Sequence, residues 1–418
     1  MLDAQVPATH ARSDGLGRLL TLLLPATTAL CAVFNGIQQI LLPAQVEALD
    51  PGSKVATLAV MTTLAAISSM LALPIGGAIS DRTASRLGRR SPWLLLMSAL
   101  SMLLLLGMGS STTILTLTIG YVIVWFTANF HQGALTAVLP DRVPVERRGL
   151  ASSVIGLGTP VGILFGVNVA SRTEQVWGYA ILGLGLLCTT VALVFGAREA
   201  PSTNAFHRRA PAARTADSVR AFFQAFGSRD FRLAFLSRAT LSLAYFTVSG
   251  YLFYALQDHI GTANLPRGDV AIAVSTLSTI SVLTWTAVAV FAGWLADRLD
   301  RRKLFVGISS AGLGASMLVP IVSPTWTGML VYAFLSGAFI GSYFAVDLAV
   351  MSLVLPDKNN QGRDFAILTV ATGLPQILSS ALAGALIAWF GGYVALFVFG
   401  AVCAFAAGLV IMRIRSIR

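Results

Sequence analysis

The sequence predicts an all-α membrane protein of twelve transmembrane helices, arranged as two pseudo-symmetric six-helix bundles around a central cleft. Three observations carry that expectation. Hydrophobic residues make up 56% of the 418-residue chain and charged residues only 11%, where a soluble domain carries about a quarter. The apolar residues gather into runs of about 18–25, the length that crosses a bilayer. A charged signature is also written twice: Gly77-Ala-Ile-Ser-Asp81-Arg82 returns as Gly293-Trp-Leu-Ala-Asp297-Arg298, 216 residues later.

Taken in order, the apolar cores fall at 19–43, 55–79, 92–111, 113–138, 150–170, 178–197, 233–256, 270–295, 303–323, 327–354, 366–389 and 393–412. The first is long enough to span rather than to be removed as a leader. Short loops separate the spans, and their charges alternate in kind. Of the 29 lysines and arginines, only Lys54, Arg172 and Arg267 fall in one set of loops, and Arg238 lies inside span 7. The rest fall in the other set and at the two ends. By the positive-inside rule both termini face the cytoplasm, and the number of spans is even. The formal charge of +11 therefore reads as topogenic charge, with no nucleic-acid partner.

The chain divides into an N-terminal bundle (1–197), a cytoplasmic linker (198–232) and a C-terminal bundle (233–418). Within the linker, Val219, Phe222, Phe223 and Phe226 recur at helical spacing beside Arg220 and Arg229. That spacing fits either an amphipathic helix on the membrane surface or a partly ordered tether.

The 216-residue register extends beyond the signature. Leu139-Pro140-Asp141 closes span 4 and Leu355-Pro356-Asp357 closes span 10, and Arg147 maps onto Arg363. Three anchors in one register describe parallel repeats about an axis along the membrane normal, an arrangement common among secondary transporters.

The first copy of the signature reads on as Asp81-Arg82-Thr-Ala-Ser-Arg86-Leu-Gly88-Arg89-Arg90-Ser-Pro92-Trp93, and span 4 ends in Leu139-Pro140-Asp141-Arg-Val-Pro144. On these motifs the chain resembles the major facilitator superfamily of secondary transporters. The longer Pro-Trp form is similar to the glycoside–pentoside–hexuronide and sucrose symporter branch. The resemblance implies a conformational latch made of Gly77, Asp81, Arg82, Arg89 and Arg90, with a second copy at Gly293, Asp297 and Arg298. Gly77 and Gly293 are expected to let helices approach closely. Asp81 is expected to pair with an arginine or to accept from free helix N–H groups. In the second copy Asp300 stands where the motif has glycine, so the latch is expected mainly in the first half.

The resemblance also implies that spans 1, 4, 7 and 10 line the cleft. Polar residues inside spans are costly and mark function, and here they concentrate in those four. Span 1 holds Asn35, Gln38 and Gln39 on one helical face. Span 4 holds Asn129, Gln132 and Thr136, with His131 beside them. Span 7 holds Arg238, Tyr245, Tyr251, Tyr254 and Gln257, and span 10 holds Tyr343 and Asp347. Spans 3, 6, 9 and 12 carry no comparable amides or charges. Asn35, Gln38, Gln39, Asn129, Gln132, Tyr251, Tyr254 and Tyr343 are the expected substrate contacts, with Trp125 and Trp285 as candidate stacking platforms. The same register sets His131 against Asp347.

Asp347 lies about 15 Å of helix from the basic side. An ionised carboxylate there calls for a proton or a cationic partner. It either exchanges a proton during transport, forms a fixed pair with Arg238, or meets substrate directly. His131 is a second titratable candidate, or else is simply hydrogen-bonded to a neighbour. Arg238 either pairs or snorkels to the surface.

These residues point to a proton-coupled symporter of a small polar solute, sugar- or glycoside-like, acting as a monomer in the plasma membrane. A proton-coupled drug or metabolite exporter is the alternative. The run Gly156-Leu-Gly158-Thr-Pro160-Val-Gly162-Ile-Leu-Phe-Gly166 partly matches an exporter motif, but its glycines equally suit close packing. Span 2 has no acid, which argues against sodium at the branch's site. The four histidines are scattered and the three cysteines lie in apolar runs. No catalytic constellation, metal site, nucleotide loop or cofactor is expected, so the chain is not read as an enzyme.

Overall fold

The computed structural model describes residues 10–202, 226–299, 301–354 and 361–414. All regular elements in those stretches are helical. Helix α1 covers His10–Gly36, passes through a π-helical turn at Ile37–Leu41 and continues as Leu42–Leu49. Then come α2 (Lys54–Arg82), α3 (Ser91–Gly109), α4 (Ile114–Arg142), α5 (Arg148–Arg172) and α6 (Gln175–Gly196). After the linker, α7 (Arg229–Ser249) bends by 47° into Leu252–Asn264. Helices α8 (Val270–Leu299), α9 (Arg302–Val322), α10 (Trp326–Val354), α11 (Gln361–Phe390) and α12 (Val394–Met412) complete the chain. Among the described residues, eleven helices are long and apolar enough to cross a membrane, or twelve with the bent α7 counted as one span. The spans expected from hydropathy match these helices, with α1 starting nine residues earlier and the bent end of α7 running eight residues further than expected. The amphipathic segment at 219–226 lies almost wholly outside the described residues, as do Leu355-Pro356-Asp357 and Asp300.

Local chemistry fixes the helix ends. The side chain of Thr113 accepts from Thr116 N at 3.3 Å to open α4, and Ser228 accepts from Phe231 N at 3.4 Å to open α7. Both are N-caps that satisfy a donor left free at a helix start. Prolines 25, 74, 140, 160, 320 and 375 sit inside helices, which membrane helices tolerate because neighbouring groups take up the freed carbonyls.

The repeat reappears in backbone geometry. The π turn Ile37–Leu41 of α1 maps by 216 residues onto 253–257, and α7 carries a π turn at Ala255–Gly261. Hydropathy does not register such turns, which often mark functional sites.

The described chain forms two compact units. One contains residues up to Leu41 and Leu64–Arg208; the other contains Leu42–Thr63 and the chain from Arg209 onward. Contacts thus divide the chain differently from the sequence halves. The end of α1 and the start of α2, both N-terminal in sequence, pack with the second unit, and the division in α1 falls where its π turn ends.

In the first unit, Gly158, Gly162 and Gly166 of α5 face α1. A Cβ on Gly162 would stand 2.5 Å from both Cys31 Cβ and Thr28 O, and one on Gly166 would stand 2.8 Å from Ala32 Cα. Small residues four apart let two backbones meet, so packing accounts for Gly158, Gly162 and Gly166 of the span 5 run, while Gly156 has open space around it. Helices α2 and α4 do approach closely, but the α2 glycine that meets α4 is a correction to expectation. A Cβ on Gly77 would meet nothing within 4 Å, and one on Gly293 only Ala345 Cβ at 3.9 Å. The tight glycine is Gly76, whose Cβ would stand 2.5 Å from Phe130 O and 2.9 Å from Phe130 Cα. Successive residues of a helix point about 100° apart, so the neighbour of the motif glycine makes the contact.

Candidate functional site

The signature loop of the first unit is built around one side chain. Arg90, only 5% exposed in its side chain, donates Nε to Asp141 Oδ2 at 3.0 Å and Nη1 to Gly77 O at 3.1 Å. It also donates to Ser80 Oγ and, through Nη2, to Asp81 Oδ1. Arg89 Nη2 reaches Asp141 Oδ2 at 2.9 Å. A guanidinium offers five donors in a fixed fork, and here that fork ties the ends of α2 and α4 to the start of α3. Gly77 therefore belongs to the cluster through its carbonyl. Arg82 is exposed and stands aside. Trp93 donates Nε1 to Thr83 Oγ1 at 2.6 Å and packs its ring 5.3 Å from Phe130, so the Pro-Trp end of the motif holds the same loop.

Asp81 does pair with an arginine, but the free N–H groups of α3 go elsewhere. They are capped by Glu199, a residue the motif reading passed over. In the second copy Arg298 lies 5.3 Å over the ring of Trp294, and the side chain of Asp297 is outside the described residues.

In the second unit, Arg238 of α7 meets Asp347 of α10. Nη1 stands 2.9 Å from Oδ2, with side-chain exposures of 15% and 1%. Arg238 Nε also donates to Thr372 Oγ1 of α11 at 2.9 Å. Of the roles open for these residues, pairing is the one the geometry displays, and Arg238 does not snorkel. Tyr343 lies one turn before Asp347, near enough for its buried hydroxyl to feel the carboxylate. Yet neither that hydroxyl nor either Asp347 oxygen is in an aligned hydrogen bond.

The expected amides are placed as follows. Asn35 donates to Cys31 O and accepts from Gln39 Nε2, both at 2.9 Å. Asn129 donates to Trp125 O at 2.8 Å, and Gln38 and Gln132 are half-buried. His131 is fully buried and shares a 3.1 Å hydrogen bond with Thr190 of α6 through Nε2. Trp125 packs between Phe34 and Tyr121, and Trp285 stacks on Phe344.

Tyr251 and Tyr254 are almost fully buried. Tyr254 donates to Pro43 O at 3.0 Å, and the Tyr251 hydroxyl is shared between Val55 O at 3.4 Å and Ser380 O at 3.1 Å. Their hydroxyls thus help seat the Leu42–Thr63 hairpin. A charged cluster completes that seat. Lys54 stands 3.2 Å from Glu47 and 2.9 Å from Asp258, and 5.0 Å over the Tyr254 ring. Gln257 donates to Glu47, and Tyr393 donates to Asp258 at 2.7 Å. The sequence displayed Lys54 only as a loop charge. Its partners lie near in sequence at Glu47 but some two hundred residues away at Asp258.

The Major Facilitator Superfamily profile matches residues 26–275 and 268–417. No curated protein matches the chain. Among solved structures, the chain is similar to a peptide transporter, POT, in complex with sulfate, at 14% identity and TM-score 0.72, covering 95% of this chain and 94% of that one. It is also similar to a bacterial homologue of the human lysosomal transporter Spinster in an inward-facing, unoccupied conformation. There the identity is 14% and the TM-score 0.67, covering 98% of this chain and 99% of that one.

Proposed function

The chain belongs to the Major Facilitator Superfamily, and from that premise we propose that this integral membrane transporter is a proton-coupled symporter of a small polar solute, sugar- or glycoside-like. The observation that carries the reading is the buried, poorly aligned Arg238–Asp347 pair beside the Tyr343 hydroxyl. With Asp347 ionised, the charge pair holds α7 to α10. A proton on Asp347 removes that charge attraction, and Arg238 retains its Thr372 hydrogen bond. Proton binding is thereby linked to the freedom of α7, the helix that also seats the Leu42–Thr63 hairpin.

Asn35, Gln38, Gln39, Asn129 and Gln132 supply donors and acceptors suited to hydroxyl groups. Tyr251 and Tyr254 would meet solute only in a state where the hairpin has left their hydroxyls. His131, hydrogen-bonded to Thr190, stands as a second coupling group beside Asp347 and Arg238. The basic loops support cytoplasmic termini in a plasma membrane. The Pro-Trp motif supports the glycoside branch. The alternative of an exporter rested on the α5 glycines, and their contacts with α1 supply another reason for them.

The test is transport in proteoliposomes under an imposed proton gradient, with sugars, glycosides, dipeptides and cationic drugs offered in turn. A sugar or glycoside is expected to drive saturable proton entry. Asp347→Asn is expected to abolish accumulation while sparing solute exchange. Concentrative uptake that survives Asp347→Asn would remove that residue from coupling, and proton exit driven by drugs would favour the exporter.

A further inference from the structure

The start of the linker is bound into the signature loop. Helix α3 has no side-chain cap of its own: Arg90 occupies the N-cap position and Pro92, with no N–H, lies in the first turn. Trp93 N turns back to Arg90 O at 3.1 Å, and the two donors that remain, Arg90 N and Ser91 N, both go to Glu199 Oε2, at 3.0 and 3.2 Å. Ser91 Oγ donates to the same oxygen at 3.2 Å. A carboxylate at a helix N-terminus is favoured by the helix dipole and by charge-assisted hydrogen bonds.

Glu199 is itself held in place. Arg142, the residue after Asp141, donates to Ala197 O at 2.7 Å and Arg198 O at 3.1 Å. Ser202 donates N to Ser85 O at 3.1 Å and Oγ to Thr83 O at 3.2 Å. Gly88 adopts a φ of 99°, open to glycine at little cost. A Cβ there would also overlap the Glu199 side chain. The signature's glycine is thus required twice, once for backbone and once to admit a residue from beyond α6.

We propose that Glu199 is a positioning residue of the latch: by fixing the Arg90 backbone it keeps the Arg90 guanidinium in register on Asp81, Asp141 and Gly77 O. The side chain of Arg90 is held from α2 and α4 and its N–H from Glu199, so the fork keeps its alignment only while both are held. Losing the carboxylate lets the first turn of α3 shift and loosens the fork, although Asp81 and Asp141 are untouched. This role presumes a carrier only for its consequence in transport. The measurement needs neither substrate nor gradient, so it stands or falls separately from the transport reading.

The readout is Ser80→Cys, introduced after Cys31, Cys188 and Cys403 have been replaced, in the full chain in nanodiscs. Ser80 is wholly buried beneath Arg90, so a maleimide reaches it when the fork lifts. Adding Glu199→Gln is expected to speed labelling about tenfold, the scale of a lost charge-assisted hydrogen bond. Glu199→Asp, which keeps the charge on a shorter stem, is expected to restore most of the protection. Hydrogen exchange of 394–412 should stay unchanged, which separates loosening of the loop from unfolding. Labelling unaffected by Glu199→Gln, or a rise matched by Glu199→Asp, would overturn the assignment, and so would a parallel rise in exchange at 394–412.

Discussion

Replacing Asp347 by Asn tests the energetics of the buried pair directly. The substitution keeps the shape of the side chain and removes its charge, while the Thr372 hydrogen bond to Arg238 is untouched. Two unit charges about 4 Å apart interact by about 4 kcal/mol at an effective dielectric constant near 20. Arg238 is 15% exposed and recovers part of this from solvent, so a loss of about 3 kcal/mol is expected, within the range for breaking a buried pair. Neutralising both partners, with Arg238→Gln and Asp347→Asn together, should restore most of that loss, because no unpaired charge then remains. The assay is a double-mutant cycle on unfolding by SDS in mixed micelles, read at a pH where wild-type Asp347 is ionised. A coupling of about 2–3 kcal/mol is expected on this reasoning. Additive effects, or a single substitution costing less than about 0.5 kcal/mol, the scale of an ordinary surface change, would show that the two charges do not hold each other.

Other expectations follow from particular contacts. Lys54→Met removes the charge between Glu47 and Asp258 while keeping the stem. It should weaken hairpin seating by about 1 kcal/mol, given carboxylates that are partly exposed and screened by salt; faster hydrogen exchange at 42–63, mimicked in the wild type by high salt, is the check. Gly162→Ala should destabilise the first unit by about 1–3 kcal/mol, since the new Cβ meets backbone, while Gly156→Ala, with nothing within 4 Å, should be nearly neutral; thermal unfolding of both decides. Gly76→Ala should cost more than Gly77→Ala, the reverse of what the signature's spelling suggests, and the same unfolding assay compares them.

Much of this protein is written along the chain. Span lengths follow from apolar runs, because the cost of an unpaired peptide in lipid is met locally within each helix. Loop charges act one loop at a time, and they are what the expectation of cytoplasmic termini rests on. The 216-residue register was legible because a repeat preserves order; Asp347 stood out as the acid inside span 10, and similar depth offered Arg238 as its partner. The cap on α3, the Thr190 partner of His131 and the Lys54 cluster were not legible. Glu199 lies 109 residues from the Arg90 N–H it satisfies, and Asp258 lies 204 residues from Lys54. No periodicity links such positions, since hydropathy fixes which residues are in helices but not which face of one helix meets another.

The glycines show the same division. The sequence by itself determined that the signature pairs a glycine with Asp81 and that span 5 is rich in small residues. Only the tertiary structure decided that Gly76 and not Gly77 makes the close contact, that the span 5 glycines face α1, and that Leu42–Thr63 packs with the second unit. The reason is physical: composition and order set what each helix can bury, while rotation about its axis, settled only by packing against neighbours, sets which residue does so.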